Sequence, residues 1–219
     1  MKKLSLEYKR LFKDKRYKKS LLIGIILLAL AGIISSIIIG YSDRIQGSAL
    51  EDLIIDNIPQ FQLLWFRTFG IALITISVII FGLIKPKYIP TLSKTIGLMY
   101  IIRAFFIGMT ALNQPAEKIT LVEHYPFLNP LLNQGNDLFF SGHVAFPFLA
   151  ALIFWDNKKI RYWLLFASII SGAVSLFAKT HYSIDVFAAP LITYSIFKIS
   201  EKIFKKDFNY IKVNRKNKI

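Results

Sequence analysis

The chain has 219 residues, no cysteine, 54% hydrophobic residues and a formal net charge of +15, with a mean hydropathy of +0.49. Without cysteine there is neither a disulfide framework nor a thiolate metal site. The apolar residues fall in blocks of about twenty, the length a helix needs to cross an apolar slab ~30 Å thick, so one or two soluble domains are not the expected architecture.

In lipid the backbone must satisfy its own hydrogen bonds, so such blocks read as helices. Six spans are predicted in chain order, over residues 21–40, 63–84, 95–112, 138–155, 162–179 and 184–199. The first is nearly pure Leu, Ile, Ala and Gly. It contains the cleavage-like Ala29-Leu30-Ala31, but its apolar run continues through Gly40, beyond a signal-peptide core, so an uncleaved anchor is expected. A short interfacial helix is expected over residues 49–57. Arg103 interrupts the third span, and Pro147 and Pro190 fall inside the fourth and sixth, where kinks are tolerated. Tyr41, Trp65, Tyr88, Tyr100, Trp155, Tyr162 and Trp163 lie near span ends, at the depth amphipathic rings prefer. The expected fold class is all-α: a polytopic membrane protein with a six-helix transmembrane bundle. Residues 1–20 form a basic segment, 21–200 the membrane domain and 201–219 a basic tail.

The positive charge gathers in residues 1–19, in short loops and in 198–219, which are the flanks of the apolar blocks. There it signals topology and meets anionic lipid headgroups; nucleic acid is not an expected partner. Loop charge alternates. The segment 41–62 is acidic, 85–94 and 156–161 are basic, and the tail is strongly basic. Both termini are therefore expected in the cytoplasm, and the outer ends of spans four, five and six on the extracytoplasmic or lumenal face.

Two of the three histidines sit at those outer ends. His181 and Asp185 are four residues apart and share a face if helical. A carboxylate on Nδ1 fixes the imidazole tautomer and makes Nε2 more basic, although a first-turn Asp also occurs for helix stability alone. In Ser141-Gly142-His143, a hydroxyl, a closely approachable backbone N–H and a second imidazole stand together. Phosphoryl transfer needs such donors where charge develops. A simple turn entering span four is the plainer reading of that triplet taken alone. His124, beside Glu123, and Glu117 read as solvated loop residues.

The two segments resemble the second and third motifs of the type 2 phosphatidic acid phosphatase superfamily. The likeness is nearer to its sphingomyelin synthase branch. Asp137-Leu138-Phe139-Phe140-Ser141-Gly142-His143 resembles that branch's acidic residue three positions before an aromatic-Ser-Gly-His. His181-Tyr182-Ser183-Ile184-Asp185-Val186 resembles its His-Tyr-Thr-x-Asp-Val. Arg103, Thr110-Ala111-Leu112 and Pro115 are similar to a third segment of that branch. The resemblance implies a metal-free, cofactor-free, two-step transfer through a phosphohistidine. His181 would be the nucleophile, Asp185 its orienting carboxylate and His143 the acid and then base. Ser141, Gly142, Arg103 and Lys179 would bind the substrate phosphate, with Asp137 and Tyr182 in support. The partners would be membrane lipids: a phosphorylated donor, and a lipid hydroxyl or water as acceptor.

The sequence departs from the common phosphatase branch in two ways. Its Lys-x6-Arg-Pro motif is absent, and Val174 and Ser175 stand where that branch has Ser-Arg before the nucleophilic His. The usual cationic clamp is thus missing. A lipid phosphotransferase is the leading expectation and a lipid phosphate phosphatase the alternative. A non-catalytic or haem-binding membrane protein, with the two histidines facing each other across a metal, is the second alternative.

Overall fold

The computed structural model describes residues 2–45, 47–110, 112–115 and 137–216. Among them the fold is entirely helical: α1 (Lys2–Lys13), α2 (Lys15–Ser42), α3 (Leu64–Ile84), a 3-10 turn (Pro86–Tyr88), α4 (Ile89–Met109), α5 (Gly142–Ile153), α6 (Lys158–Phe177), α7 (Ser183–Ile203) and α8 (Lys205–Lys216). Five segments are long and apolar enough to cross a membrane: Lys15–Ser42, Trp65–Ile84, Pro86–Met109, Lys158–Phe177 and Ser183–Ile203. The predicted fourth span is the short apolar helix α5, with 12 residues. At 1.5 Å per residue it is only about 18 Å long.

Helix α2 packs along α4. Small residues allow the approach: a Cβ on Gly97 would stand 3.0 Å from the Leu27 backbone, and one on Gly24 would strike Ser93 Oγ. Apolar bundles use such notches, because lipid supplies no hydrophobic drive between helices and close packing must serve instead. Helix α5 is the hub of the second half, packing on α6 and α7. Gly172 lets α6 meet Val186 and Val144, where a Cβ would lie 3.1 and 3.6 Å away. Ser168 Oγ donates to the Val144 carbonyl at 2.9 Å. Pro147 lies inside α5 and Pro190 inside α7. Pro147 has no N–H to give to the His143 carbonyl four residues back.

The core runs from Ile74 and Val78 of α3 through Met99 of α4 to Leu149, Leu164 and Ala189. Outward faces remain apolar: Phe66, Phe69, Ile169 and Leu191 are all well exposed, as surfaces meant for lipid are.

Besides the short fourth span, three features differ from the sequence reading. The segment expected as an interfacial helix over 49–57 forms turns instead. Asp52 Oδ1 accepts from the Ile54 and Ile55 N–H groups, and Asp56 Oδ2 from Asp52 N–H, which closes local turns in place of helical bonds. The basic termini hold helices, α1 and α8, that their polar composition did not announce. Helix α2 also begins at Lys15, where the Asp14 carboxylate caps it by accepting from Arg16 N–H at 2.8 Å. Glu117, Glu123 and His124 lie outside the described residues.

Candidate active site

Two helices begin at the same place. Asp185 is the third residue of α7, and its Oδ2 accepts from Tyr182 N–H at 3.2 Å, closing the first turn. The same oxygen lies 3.2 Å from His181 Nδ1. One carboxylate therefore caps the helix and orients the imidazole. The Asp185 carbonyl accepts from Ser141 N–H at 2.9 Å, which ties the Ser-Gly-His turn to the His-x-x-x-Asp turn through backbone. His143 follows in the first turn of α5, and the two histidine rings stand 6.2 Å apart between centroids, at 61°. Two amino-terminal helix ends, where backbone N–H groups favour anions, thus flank the pair.

Burial is nearly complete. His181 is 2% exposed, and Asp185 and Ser141 are fully buried. Among the described residues, His181 Nε2, Ser141 Oγ, Ser175 Oγ and Asp185 Oδ1 have no hydrogen-bond partner. Leaving a buried polar group unmatched costs about 1–3 kcal/mol, so a cluster of them marks a place built to receive a polar guest. Burial lowers the His181 pKa, against the upward pull of the Asp185 hydrogen bond and charge; Arg67 and Arg103 add to the lowering. The ring is therefore neutral near pH 7, with Nε2 available as a nucleophile once Nδ1 is tied to Asp185.

Both site turns contain a non-glycine residue in left-handed backbone, Phe139 at φ 62° and Lys179 at φ 50°. At Lys179 the reason is a helix stop. Lys179 N–H donates to the Leu176 carbonyl at 3.0 Å and Thr180 N–H to Ser175 at 3.0 Å, which closes a Schellman turn where glycine is usual. The chain then delivers His181 two residues later. Phe139 turns the backbone so that Phe140 is fully buried and packs edge-on to Phe106.

Arg103 lies beneath the Ser-Gly-His turn. Its Nε donates to the Phe140 carbonyl at 2.7 Å, Nη2 to the Asp137 carbonyl at 3.0 Å, and Nη1 to the Asp137 carboxylate at 2.5 Å. Gly142 passes over the guanidinium, where a Cβ would sit 3.4 Å from Arg103 Cζ. Tyr182 Oη accepts from Leu50 N–H at 3.0 Å and donates to the Asn113 carbonyl at 2.8 Å. Asp52 Oδ2 accepts from Ser183 N–H at 2.6 Å and so caps α7 from the first loop. Burial works against the Asp52 carboxylate, but the N–H groups of Ser183, Ile54 and Ile55 hold its pKa below the ordinary value.

The sequence-predicted residues His143, His181, Asp185, Ser141, Gly142, Arg103, Asp137 and Tyr182 are thus linked by direct contacts or by ring proximity. Lys179 stands apart. It lines a separate cavity with Glu51, Asp56, Leu50 and Pro115. His143 opens instead onto a cavity of about 130 Å³ between α3 and α6, walled by Phe66, Leu73, Trp163, Ile170 and Val174. That cavity also holds Arg67, which the sequence reading did not single out. Ser175, noted in the sequence only as a departure from the phosphatase pattern, adds a fully buried hydroxyl six residues before His181. Among the described residues no three His, Cys, Asp or Glu side chains gather as they would to hold a metal ion.

Residues 134–202 match the family model described as PAP2 superfamily C-terminal. The matched stretch contains both histidine turns and supports the type 2 phosphatidic acid phosphatase superfamily. Together with five membrane-length helices, it fits an integral membrane protein with lipid phosphatase or phosphotransferase chemistry on phosphate esters. No curated protein matches the chain.

Proposed function

We propose that this chain is a lipid phosphotransferase that moves a phosphate or phospho-headgroup through a phosphohistidine on His181, at the extracytoplasmic or lumenal face. The observation that carries the reading is the His181 ring itself. Its Nδ1 is held at 3.2 Å from Asp185, its Nε2 is unpartnered among the described residues, and His143 stands 6.2 Å away between ring centroids. In the first step Nε2 attacks phosphorus, an N–P bond forms, and the P–O bond to the leaving group breaks. His143 gives its proton to that oxygen. In the second step neutral His143 takes the proton of an acceptor hydroxyl, whose oxygen attacks phosphorus as the N–P bond breaks. Ser141 Oγ, Ser175 Oγ and the first N–H groups of α5 are the donors suited to the equatorial oxygens. Arg103 acts as a brace that fixes the Ser-Gly-His turn, with Asp137 holding the guanidinium in place.

A lipid hydroxyl is favoured over water as acceptor because the cavity at His143 is walled mainly by apolar and aromatic side chains. The deciding assay incubates headgroup- and acyl-labelled phospholipids with membranes carrying the wild type or His181→Ala. A new labelled lipid that depends on His181 supports transfer. Release of inorganic phosphate assigns the phosphatase alternative. Turnover that survives His181→Ala removes the nucleophile.

A further inference from the structure

The sequence lacks the usual cationic clamp, and Arg103 has all three of its nitrogens engaged by Asp137 and Phe140. Lys94, at the far end of the bundle, is paired with Asp207 at 2.7 Å. Lys179 lines a different cavity beside Glu51 and Asp56. The described cation that lines the cavity with His143 is Arg67. It sits in the first turns of α3, where its N–H donates to the Leu63 carbonyl at 2.9 Å, and it is 8% exposed. A snorkelling arginine would reach outward to the headgroups along the exposed face. That face of α3 carries Phe66 and Phe69, which are 70% and 64% exposed, whereas Arg67 is turned inward. Its charge bears on both His143 and His181.

We propose that Arg67 is the substrate-phosphate ligand of this enzyme, a cation delivered by the second long helix in place of a clamp carried on the histidine segments. The assignment rests on the phosphoryl-transfer reading of the site. Guanidinium suits this role because it stays charged when buried and presents a planar fork to two phosphate oxygens. Asp137 bears on Arg67 as well as pairing with Arg103, and Asp185 faces a neutral imidazole, so an arriving phosphate meets the Arg67 guanidinium in a largely apolar cavity, where its charge is weakly screened. Helix α3 thereby joins the reaction centre, and the catalytic unit extends well before the matched residues 134–202.

The test uses the full chain in detergent with orthovanadate as the phosphate mimic. Vanadate affinity is read from the concentration dependence of the thermal unfolding shift, for wild type, Arg67→Gln, Arg67→Lys and Lys179→Gln. The expected result is vanadate binding by wild type, at least tenfold weaker binding by Arg67→Gln, an intermediate value for Arg67→Lys, and wild-type affinity for Lys179→Gln. Added guanidinium ion should recover part of the Arg67→Gln loss, which a purely structural defect would not allow. If Arg67→Gln fails to fold, Arg67→Lys decides, and wild-type affinity in that variant overturns the proposal. Equal affinity in wild type and Arg67→Gln overturns it while leaving the histidine site standing. Absence of any wild-type response also overturns it. If turnover is then also indifferent to His181→Ala, the reading of the site falls with it.

Discussion

At the basic end of the bundle, Lys94 Nζ donates to Ser20 Oγ at 2.8 Å and to Asp207 Oδ2 at 2.7 Å, and Ser20 Oγ donates to Asp207 Oδ1 at 2.6 Å. Tyr17 Oη closes on the Pro86 carbonyl nearby at 2.8 Å. At the histidine end, Ser141, Ser175, His181 and Asp185 are at least as deeply buried, yet each leaves a polar atom unmatched among the described residues. Both ends remove charge and hydroxyls from water. One closes its network on itself and serves to join α2, α4 and α8. The other stops one partner short, which suits groups that must meet a substrate. The Thr91 and Thr95 hydroxyls beside Lys94 are also unmatched among the described residues, so what marks the histidine end is the gathering of unmatched hydroxyl, imidazole and carboxylate atoms around its two turns.

The largest effect that would sharpen this contrast is expected at Asp185. Asp185→Asn keeps the shape but loses the carboxylate that fixes the His181 tautomer, and turnover should fall by about 10³-fold or more. Activity against pH checks the same pair. With the His181 pKa below its ordinary value and His143 needed in its protonated form for the first step, wild-type turnover should pass through a maximum on the acid side of pH 6.5, its lower limb set by protonation of His181. Asp185 favours the protonated ring, so Asp185→Asn should move that limb to still lower pH; a shift upward would contradict the assigned pairing.

Next comes Lys94→Ala. It leaves the largely buried Asp207 without its cation and should cost about 3 kcal/mol of stability, with the per-molecule turnover of the folded protein unchanged. Denaturation in detergent, paired with the lipid assay, tests the division of labour. A loss of turnover without a loss of stability would break the comparison. Arg103→Lys should lower turnover about tenfold with little loss of fold, since an ammonium cannot span the Phe140 carbonyl and both Asp137 acceptors. The smallest effect is expected at Asp52→Asn, which weakens the cap on Ser183 N–H by about 1 kcal/mol. Its carboxylate is held below the ordinary pKa, so its contribution is present above the unfolded value of 3.8 and fades as pH drops through the folded one.

The histidine end was legible in the sequence because its parts are local. A four-residue interval put His181 and Asp185 together, and Ser-Gly-His is contiguous. What stayed hidden is non-local. Lys94 and Asp207 are 113 residues apart, and nothing in either flank names the other. Arg67 sits in a run of Leu, Trp and Phe, where a basic residue reads as an edge marker until the inward face of α3 is known. The expected helix over 49–57 failed for a local reason: Asp52 and Asp56 accept from neighbouring N–H groups and stabilise turns. The long apolar spans needed no such detail, since a run of about twenty apolar residues is itself the physical requirement.

The shortness of α5 has a consequence for the bilayer. Val144, one residue after His143, packs on α6 at Gly172, five residues or about 7 Å before that helix ends at Phe177, whereas His181 follows the helix end in the turn to α7. On the proposed reading, a lipid phosphate must reach between the two rings, past the end of α6, before chemistry begins. Membrane thickness then becomes a control variable: a thinner bilayer carries the headgroup plane closer to His181 and shortens that reach. Turnover in vesicles of one headgroup and stepped acyl length should rise as the chains shorten. A flat profile would mean that the protein, not the lipid, makes up the distance.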